Sequence, residues 1–460
     1  MAGIGFELKK ILNKNSLLSI VEAYGLAGVI GSGPWVVSIL ALLCIGLLSV
    51  SMQTSASVIV QFLIIVTYMM AGSLIVSGIF QLMLTRLVSD LIFEDQEQRI
   101  VANLFGAMLV TTLLGACAAF GVLSLSPNID LTTKIVMLMA FILLCNQWLT
   151  IIFLSGMKEY YQIFFTIAAS YSLMVLLTYL VNPETLGSLL LIFMICQAIL
   201  TFSFLFSIIR NFPPKQLVSF DFLNSKKTFY SLLFCGLLYN LGVWLDKFVF
   251  WFRAETSHQV VDVFRASYIY DVPIFIAYLA IVPGMAVFIL KMETEFASKC
   301  LAFYDALRKG ATYQSIVLLK NDMTLACQQS IYYIFKVQGV TCMLLLLFAK
   351  DILILLNIDV SYLHLLYVNL VGVSLQVLVM AILNVMFYLD KRYEALGLTV
   401  FMAATNFILA NLSISLGPMF YGYGFAVTMM LTTLIGMIVL DNTFAKLEYN
   451  TFMLQKTKQL

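Results

Sequence analysis

The residues best placed to do chemistry are three charges set in otherwise apolar sequence: Asp246 and Lys247 within YNLGVWLDKFVFWF, and Asp271 shortly after it. A charge at the centre of a bilayer costs ~2.5–3.5 kcal/mol even on the lenient insertion scale, so each should face protein or water. Neighbours in a helix do not face each other, so Asp246 and Lys247 are not expected to form a self-contained pair. The sequence instead predicts a Lys247–Asp271 pair, with Asp246 turned toward a cavity. The alternative is a Lys247 that snorkels alone to the outer interface. Amides come next: Asn369, Gln376 and Asn384 in one apolar run, Asn146 in another. They both donate and accept, which suits a neutral, hydroxyl-rich ligand. Trp244 and Trp251, with Tyr268, Tyr270 and Tyr278, could supply flat faces for a ligand ring. The competing reading is structural, since amides cross-link membrane helices and aromatics form interfacial belts. A third group could bend helices: Gly31, Gly33 and Pro34 in GSGPW, then Pro273 and the Pro283–Gly284 pair. Each break serves as a hinge or as a static kink.

Other chemistries are poorly supported. The eight cysteines form no CxxC pair, and His258 and His364 are the two histidines, so a zinc cluster is improbable. The cysteines read as small apolar packing residues. No catalytic residue, metal site or cofactor is expected.

These residues need membrane-spanning elements to hold them. Apolar types make up 62% of 460 residues, charged types 11%, and the mean hydropathy is +0.99. That charge content cannot cover a soluble core, so lipid must be the solvent for most of the surface. The net charge of +2 gives no reason to expect nucleic acid. Runs of ~20 apolar residues suit a spanning helix. They occur near 22–49, 57–85, 101–124, 132–155, 160–181 and 186–209, then near 228–252, 267–290, 328–349, 359–388, 395–416 and 419–440. The expected organisation is an amphipathic segment 1–21, a six-helix lobe 22–209, a cytoplasmic linker 210–227, a second six-helix lobe 228–440 and a tail 441–460. With both termini inside, 20 of the 26 Lys and Arg fall on cytoplasmic segments and four on outer loops, as the positive-inside rule requires. The fold class is therefore all-α integral membrane, with about twelve spans in two lobes.

Segment 291–327 pairs Phe296, Leu301, Tyr304 and Leu307 with Lys299, Arg308 and Lys309, the pattern of an amphipathic helix on the inner face. The ends of the second and eighth spans each carry a basic–acidic pair at i, i+4, Arg86 with Asp90 and Lys291 with Glu295. Such matches favour a parallel duplication of the two halves.

The opening MAGIGFELKK and the GSGPW of the first span, together with the twelve spans, resemble the PelG family of exopolysaccharide transporters in the flippase and multidrug-exporter superfamily. The resemblance implies export of the Pel polymer, an N-acetylhexosamine chain, across the bacterial cytoplasmic (inner) membrane during biofilm matrix production. It also implies a cytoplasmic glycosyltransferase and a membrane-anchored cyclic-di-GMP receptor as partners. Two other readings stay open: a drug or cation antiporter of the same fold, and a non-transporting assembly subunit of a synthase complex. An antiporter would ordinarily carry a mid-membrane acid in the first lobe, and none lies at mid-depth there. A membrane glycosyltransferase would need acids on a sizeable outer loop, and the outer loops are short.

The topology has a direct test. Cysteines introduced at Lys134, Asn182 or Ser257, in a background without native cysteines, should react with an impermeant thiol reagent from outside. Those at Lys158, Lys215 and Lys391 should not, and the opposite labelling pattern would overturn the arrangement.

Overall fold

Nearly every element is an apolar helix, because lipid offers no partner for an exposed backbone N–H or C=O. The structure of the protein, a computed structural model, describes residues 10–11, 16–48, 55–156, 160–213, 215–224 and 229–453. In chain order its principal elements begin with α1 (Leu17–Leu48), α2 (Ala56–Phe93), α3 (Ile100–Ser124), α4 (Leu131–Gly156), α5 (Tyr160–Val181) and α6 (Leu186–Asn211). There follow α7 (Tyr230–Phe252), the hairpin β1 (His258–Val261) and β2 (Phe264–Ala266), α8 (Tyr268–Leu279) and α9 (Ile281–Lys291). The chain ends with α10 (Ala297–Arg308), α11 (Tyr313–Leu355), α12 (Leu363–Tyr388), α13 (Arg392–Leu416), α14 (Tyr423–Ala445) and α15 (Leu447–Met453). Among the described residues ten helices are long and apolar enough to cross a membrane, and α8 with the helical run Ile281–Arg308, bent by 41° from it, passes the same test as a pair. Helix α1, 32 residues long, is the remaining long apolar helix. The all-α membrane architecture holds, with one short hairpin that composition did not reveal.

The chain forms two compact units, Gly33–Asp271 and Met1–Ser32 with Val272–Leu460. The expected lobes, 22–209 and 228–440, divide elsewhere. Helix α7 and the hairpin group with α2, and the reason lies in two glycines. A Cβ on Gly236 of α7 would collide with the carbonyl of Gly78 on α2, and one on Gly78 would stand 3.0 Å from the Gly236 carbonyl. Small residues let two membrane helices approach backbone to backbone, which is how they gain dispersion energy where no hydrophobic drive exists.

The linker is also bound within the Gly33–Asp271 unit. Asn103 of α3 accepts from the Asp221 N–H at 2.9 Å and donates to its carboxylate at 3.0 Å. Ser219 N–H donates to the Ala102 carbonyl at 2.9 Å, and Phe222 is buried edge-on to Phe80. Helix α4 is capped by Asp130, whose carboxylate accepts from the Thr133 N–H at 3.0 Å. The Thr133 hydrogen bonds hold that carboxyl below its ordinary range.

Several local expectations change. Segment 291–327 is not a single surface helix: a π-helical turn (Met292–Phe296) leads into α10, and the chain reverses at Gly310 into the 43-residue α11. Helix α10 buries Ala297, Cys300 and Phe303, and Lys299 reaches Asp322 of α11 at 2.9 Å. Both terminal i, i+4 pairs form, Arg86 with Asp90 and Lys291 with Glu295. Ser257 is buried against Arg253, so its exposed neighbour Gln259 is the better outer labelling position. Lys158, and most of segment 1–21, lie outside the described residues.

Gly236→Ala should lower the melting temperature of the purified protein in detergent, since overpacking costs ~1–3 kcal/mol. Gly121→Ala, where a Cβ meets nothing within 4 Å, is the control. Equal melting of the two variants would contradict the glycine crossing.

Candidate functional site

The charged candidates of α7 are fully inside the protein. Asp246 and Lys247 are each 1% exposed. Lys247 Nζ donates to an Asp246 carboxylate oxygen at 3.1 Å and to the Val243 carbonyl at 2.9 Å. The expected Lys247–Asp271 pair is replaced by a pair between sequence neighbours. The physical reason is reach: the four-carbon stem of lysine curls back along the helix toward residue i−4, where the short aspartate side chain meets the ammonium. Side chains tilt toward the helix N-terminus, and that tilt aids the fold-back. The Tyr270 hydroxyl donates to the other Asp246 oxygen at 2.5 Å, and its ring stacks on Phe250 at 3.9 Å. Burial of Lys247 also removes the snorkelling reading.

Asp271 serves a different purpose. Its carboxylate accepts from the Ser267 N–H at 3.0 Å, while its own N–H donates to the Ser267 carbonyl at 2.7 Å. That reciprocal arrangement satisfies orphan donors at the start of α8, where a negative charge is also favoured by the helix dipole. Both carboxylate oxygens also receive the Trp251 indole N–H, at 2.8 and 3.0 Å. The indole stacks on Tyr68 of α2 at 4.4 Å, and the Tyr68 hydroxyl donates to the Arg265 carbonyl of the hairpin at 2.9 Å.

The aromatic candidates are mostly consumed by this packing. Trp251 and Tyr270 are 1% and 0% exposed, Trp244 is buried beside Trp251, and Tyr278 is half-buried in the other unit. Tyr268 alone among them is exposed. Among the amides, Asn146 donates to Thr112 at 2.9 Å and to its own helix at Ile142. Asn369, Gln376 and Asn384 are buried on α12. Neither polar atom of Asn369 has a hydrogen-bond partner among the described residues, nor has the Gln376 carbonyl oxygen. Buried polar groups left unpaired in this way ordinarily hold water or await a ligand.

The surroundings of Gly33 and the side chain of Pro34 lie outside what the structure describes, although α1 continues through both positions. Gly31 packs against Ile289 and Met285 of α9, where a Cβ would collide with Ile289. The second break is better defined. Helices α8 and α9 meet at Ala280, whose carbonyl accepts from Gln338 Nε2 of α11 at 3.0 Å. Gln338 also donates to Ser374 of α12 at 3.1 Å, and a side chain on Gly284 would collide with its amide oxygen. Pro283 has no N–H to offer the Leu279 carbonyl four residues back, and Gln338 binds the next carbonyl, at the bend itself. Gln338 was missed from sequence because a single amide in an apolar run carries no spacing signal.

The profile of PelG, “Putative exopolysaccharide Exporter (EPS-E)”, matches residues 1–452. The chain belongs to the PelG family. Among solved structures it resembles an outward-facing multidrug-resistance MATE transporter of the MOP superfamily (TM-score 0.66, 13% identity, 93% of this chain and 96% of that one). It also resembles a MOP-superfamily transporter from Pyrococcus furiosus, described as having a binding pocket of reversed polarity (TM-score 0.64, 12% identity, 93% and 96%). A third is a MATE transporter in complex with MaD5 (TM-score 0.65, 13% identity, 93% and 96%). No curated protein matches the sequence. At these identities the structures show a shared fold. A PelG-family chain is a multi-pass membrane transporter of the exopolysaccharide-exporter class and not an enzyme.

In this PelG-family chain Lys247→Met should leave Asp246 as a buried orphan charge and cost roughly 3–5 kcal/mol. Adding Asp246→Asn should restore much of that loss. Asp271→Asn, which keeps an acceptor for Trp251, should change little. A double-mutant cycle on melting temperature checks this; simple addition of the Asp246 and Lys247 effects would show that they do not interact.

Proposed function

We propose that the protein exports a Pel-type N-acetylhexosamine polymer across the bacterial cytoplasmic membrane during biofilm matrix production, and that it does no chemistry of its own. The observation that carries the reading is the family match over residues 1–452. The polymer is neutral and rich in hydroxyl and acetamido groups, and the Asn369 amide offers both a donor and an acceptor for such groups, with the Gln376 carbonyl oxygen as a second acceptor. Asp246, Lys247, Asp271, Trp244 and Trp251 frame the outer half of the Gly33–Asp271 unit in this reading, with Asn146 deeper inside. Tyr278, Asn369, Gln376 and Asn384 belong to the other unit.

The chain passes between units at Ser32–Gly33, within GSGPW, and again at Asp271–Val272, just before Pro273. Gly31, Gly33 and Pro34 at the first passage, and Pro283 with Gly284 after the second, act as hinges in a transport cycle. The polymer would be handed over by a cytoplasmic glycosyltransferase with a membrane-anchored cyclic-di-GMP receptor as scaffold. This partnership rests on family resemblance.

Deleting the chain should abolish extracellular polymer while glycosyltransferase activity persists in extracts and polymer collects inside the cell. Normal secretion without the chain would remove the exporter reading and leave an assembly role.

A further inference from the structure

The hairpin between α7 and α8 is held far more firmly than a short loop needs. The Asp262 carboxylate accepts from the Asn128 backbone N–H at 3.0 Å and from its side-chain amide at 2.6 Å. Arg265 Nε donates to Ser257 at 2.9 Å, and Ser257 donates to the Arg253 carbonyl at 2.7 Å. Thr256 donates to the Phe250 carbonyl at 2.7 Å, and Tyr68 fixes the second strand through Arg265. Pairing of His258 with Ala266 sets the register, so His258 stands beside the first residue of α8. There its imidazole stacks on the Tyr268 ring, with centroids 6.3 Å apart and planes 26° from parallel. Tyr268 is 39% exposed and His258 is exposed, and Arg253, Glu255 and Gln259 of the same loop are exposed as well.

Of the other aromatics of the region, Phe252 at the end of α7 is exposed but carries no polar edge, and the larger rings are withdrawn. Trp244, Trp251 and Tyr270 are buried and cannot present a face to anything passing outside. Such an exposed ring pair, preorganised on a pinned support and surrounded by polar groups, meets the requirements of a sugar. The C–H face of a hexopyranose packs on the negative face of an aromatic ring, and its hydroxyl edge seeks donors and acceptors. Preorganisation lowers the ordering cost of a weak contact, which a moving polymer must make and break. The lysine and arginine distribution puts this loop on the outer side, where an exported chain emerges.

We propose that His258 and Tyr268 form an exit subsite that binds one or two N-acetylhexosamine units of the emerging polymer. The proposal rests on the exporter reading for its substrate class. The phenol ring supplies the stacking face, while the imidazole holds that ring in place and adds a polar edge. The subsite is a binding platform, with no bond made or broken.

The test uses the full chain in lipid nanodiscs and a five-unit N-acetylglucosamine oligomer as probe, with binding followed by calorimetry or ligand-observed NMR. Tyr268→Ala and His258→Ala should each weaken binding by roughly two- to tenfold, while Tyr268→Phe, which keeps the ring, should bind as the parent does. Melting temperature should stay unchanged, since neither side chain holds the hairpin. If the parent does not bind the oligomer, or both alanine variants bind as the parent does, the proposal is overturned. It is also overturned if Tyr268→Ala lowers insertion or melting with binding intact, because the ring then belongs to the interfacial belt. Failure here while deletion still abolishes secretion removes the subsite alone; secretion that survives deletion removes the exporter reading itself.

Discussion

A buried charge pair inside an apolar helix sets the terms for the part of the Gly33–Asp271 unit where α7, the hairpin and α8 meet. Once Asp246 and Lys247 are out of water, each remaining lone pair needs a donor, and Tyr270 supplies one. That requirement fixes where α8 begins, which puts Ser267 at its cap and Asp271 within reach of the cap N–H. Asp271 in turn orients Trp251, Trp251 stacks on Tyr68, and Tyr68 holds the second strand of the hairpin. The sequence of dependencies runs from one ion pair to an extramembrane loop, with every link a hydrogen bond or ring contact. In low dielectric such a network is costly when partly satisfied and stiff when complete.

The unit of Val272–Leu460 with the first residues of the chain meets the same constraint differently. It carries a broken span, and the Ala280 carbonyl at the bend accepts from the Gln338 amide, with no ion pair involved. A neutral amide is the cheaper device at mid-membrane, because it carries no charge to desolvate. The unpaired Asn369 amide and Gln376 carbonyl oxygen on α12 lie in the same unit, so it combines a backbone break with unspent polar capacity. A carrier needs both features, since one permits bending and the other can be shared with a ligand or water.

Much of this was legible in the residues. The spans and the terminal pairs Arg86–Asp90 and Lys291–Glu295 follow from hydropathy and i, i+4 spacing. The division of the chain was not legible, because it depends on Gly78 meeting Gly236 across more than a hundred residues, and a glycine in an apolar run carries no address. The partner of Lys247 is hidden from helix geometry, because its flexible stem curls back to the Asp246 carboxylate and the Val243 carbonyl. Trp244 and Trp251 were singled out for their flat faces, yet burial of those faces against Tyr68 and each other is a tertiary fact. Gln338 matters through a break on another helix, so no local pattern could mark it.

The discontinuous unit has a consequence for biosynthesis. Gly28 and Gly31 on α1 fit against Ala286 and Ile289 of α9, yet the whole of Gly33–Asp271 is translated in between. At ~5–20 residues per second the inner half of α1 waits on the order of ten seconds or more for its partner to leave the ribosome. Throughout that interval a smooth, glycine-lined helix face is open to lipid or to a wrong neighbour. The intervening unit, whose residues are contiguous, can pack while the ribosome is still at work. Assembly is then ordered by the chain itself: the inserted unit first, and the split unit only when its two pieces meet.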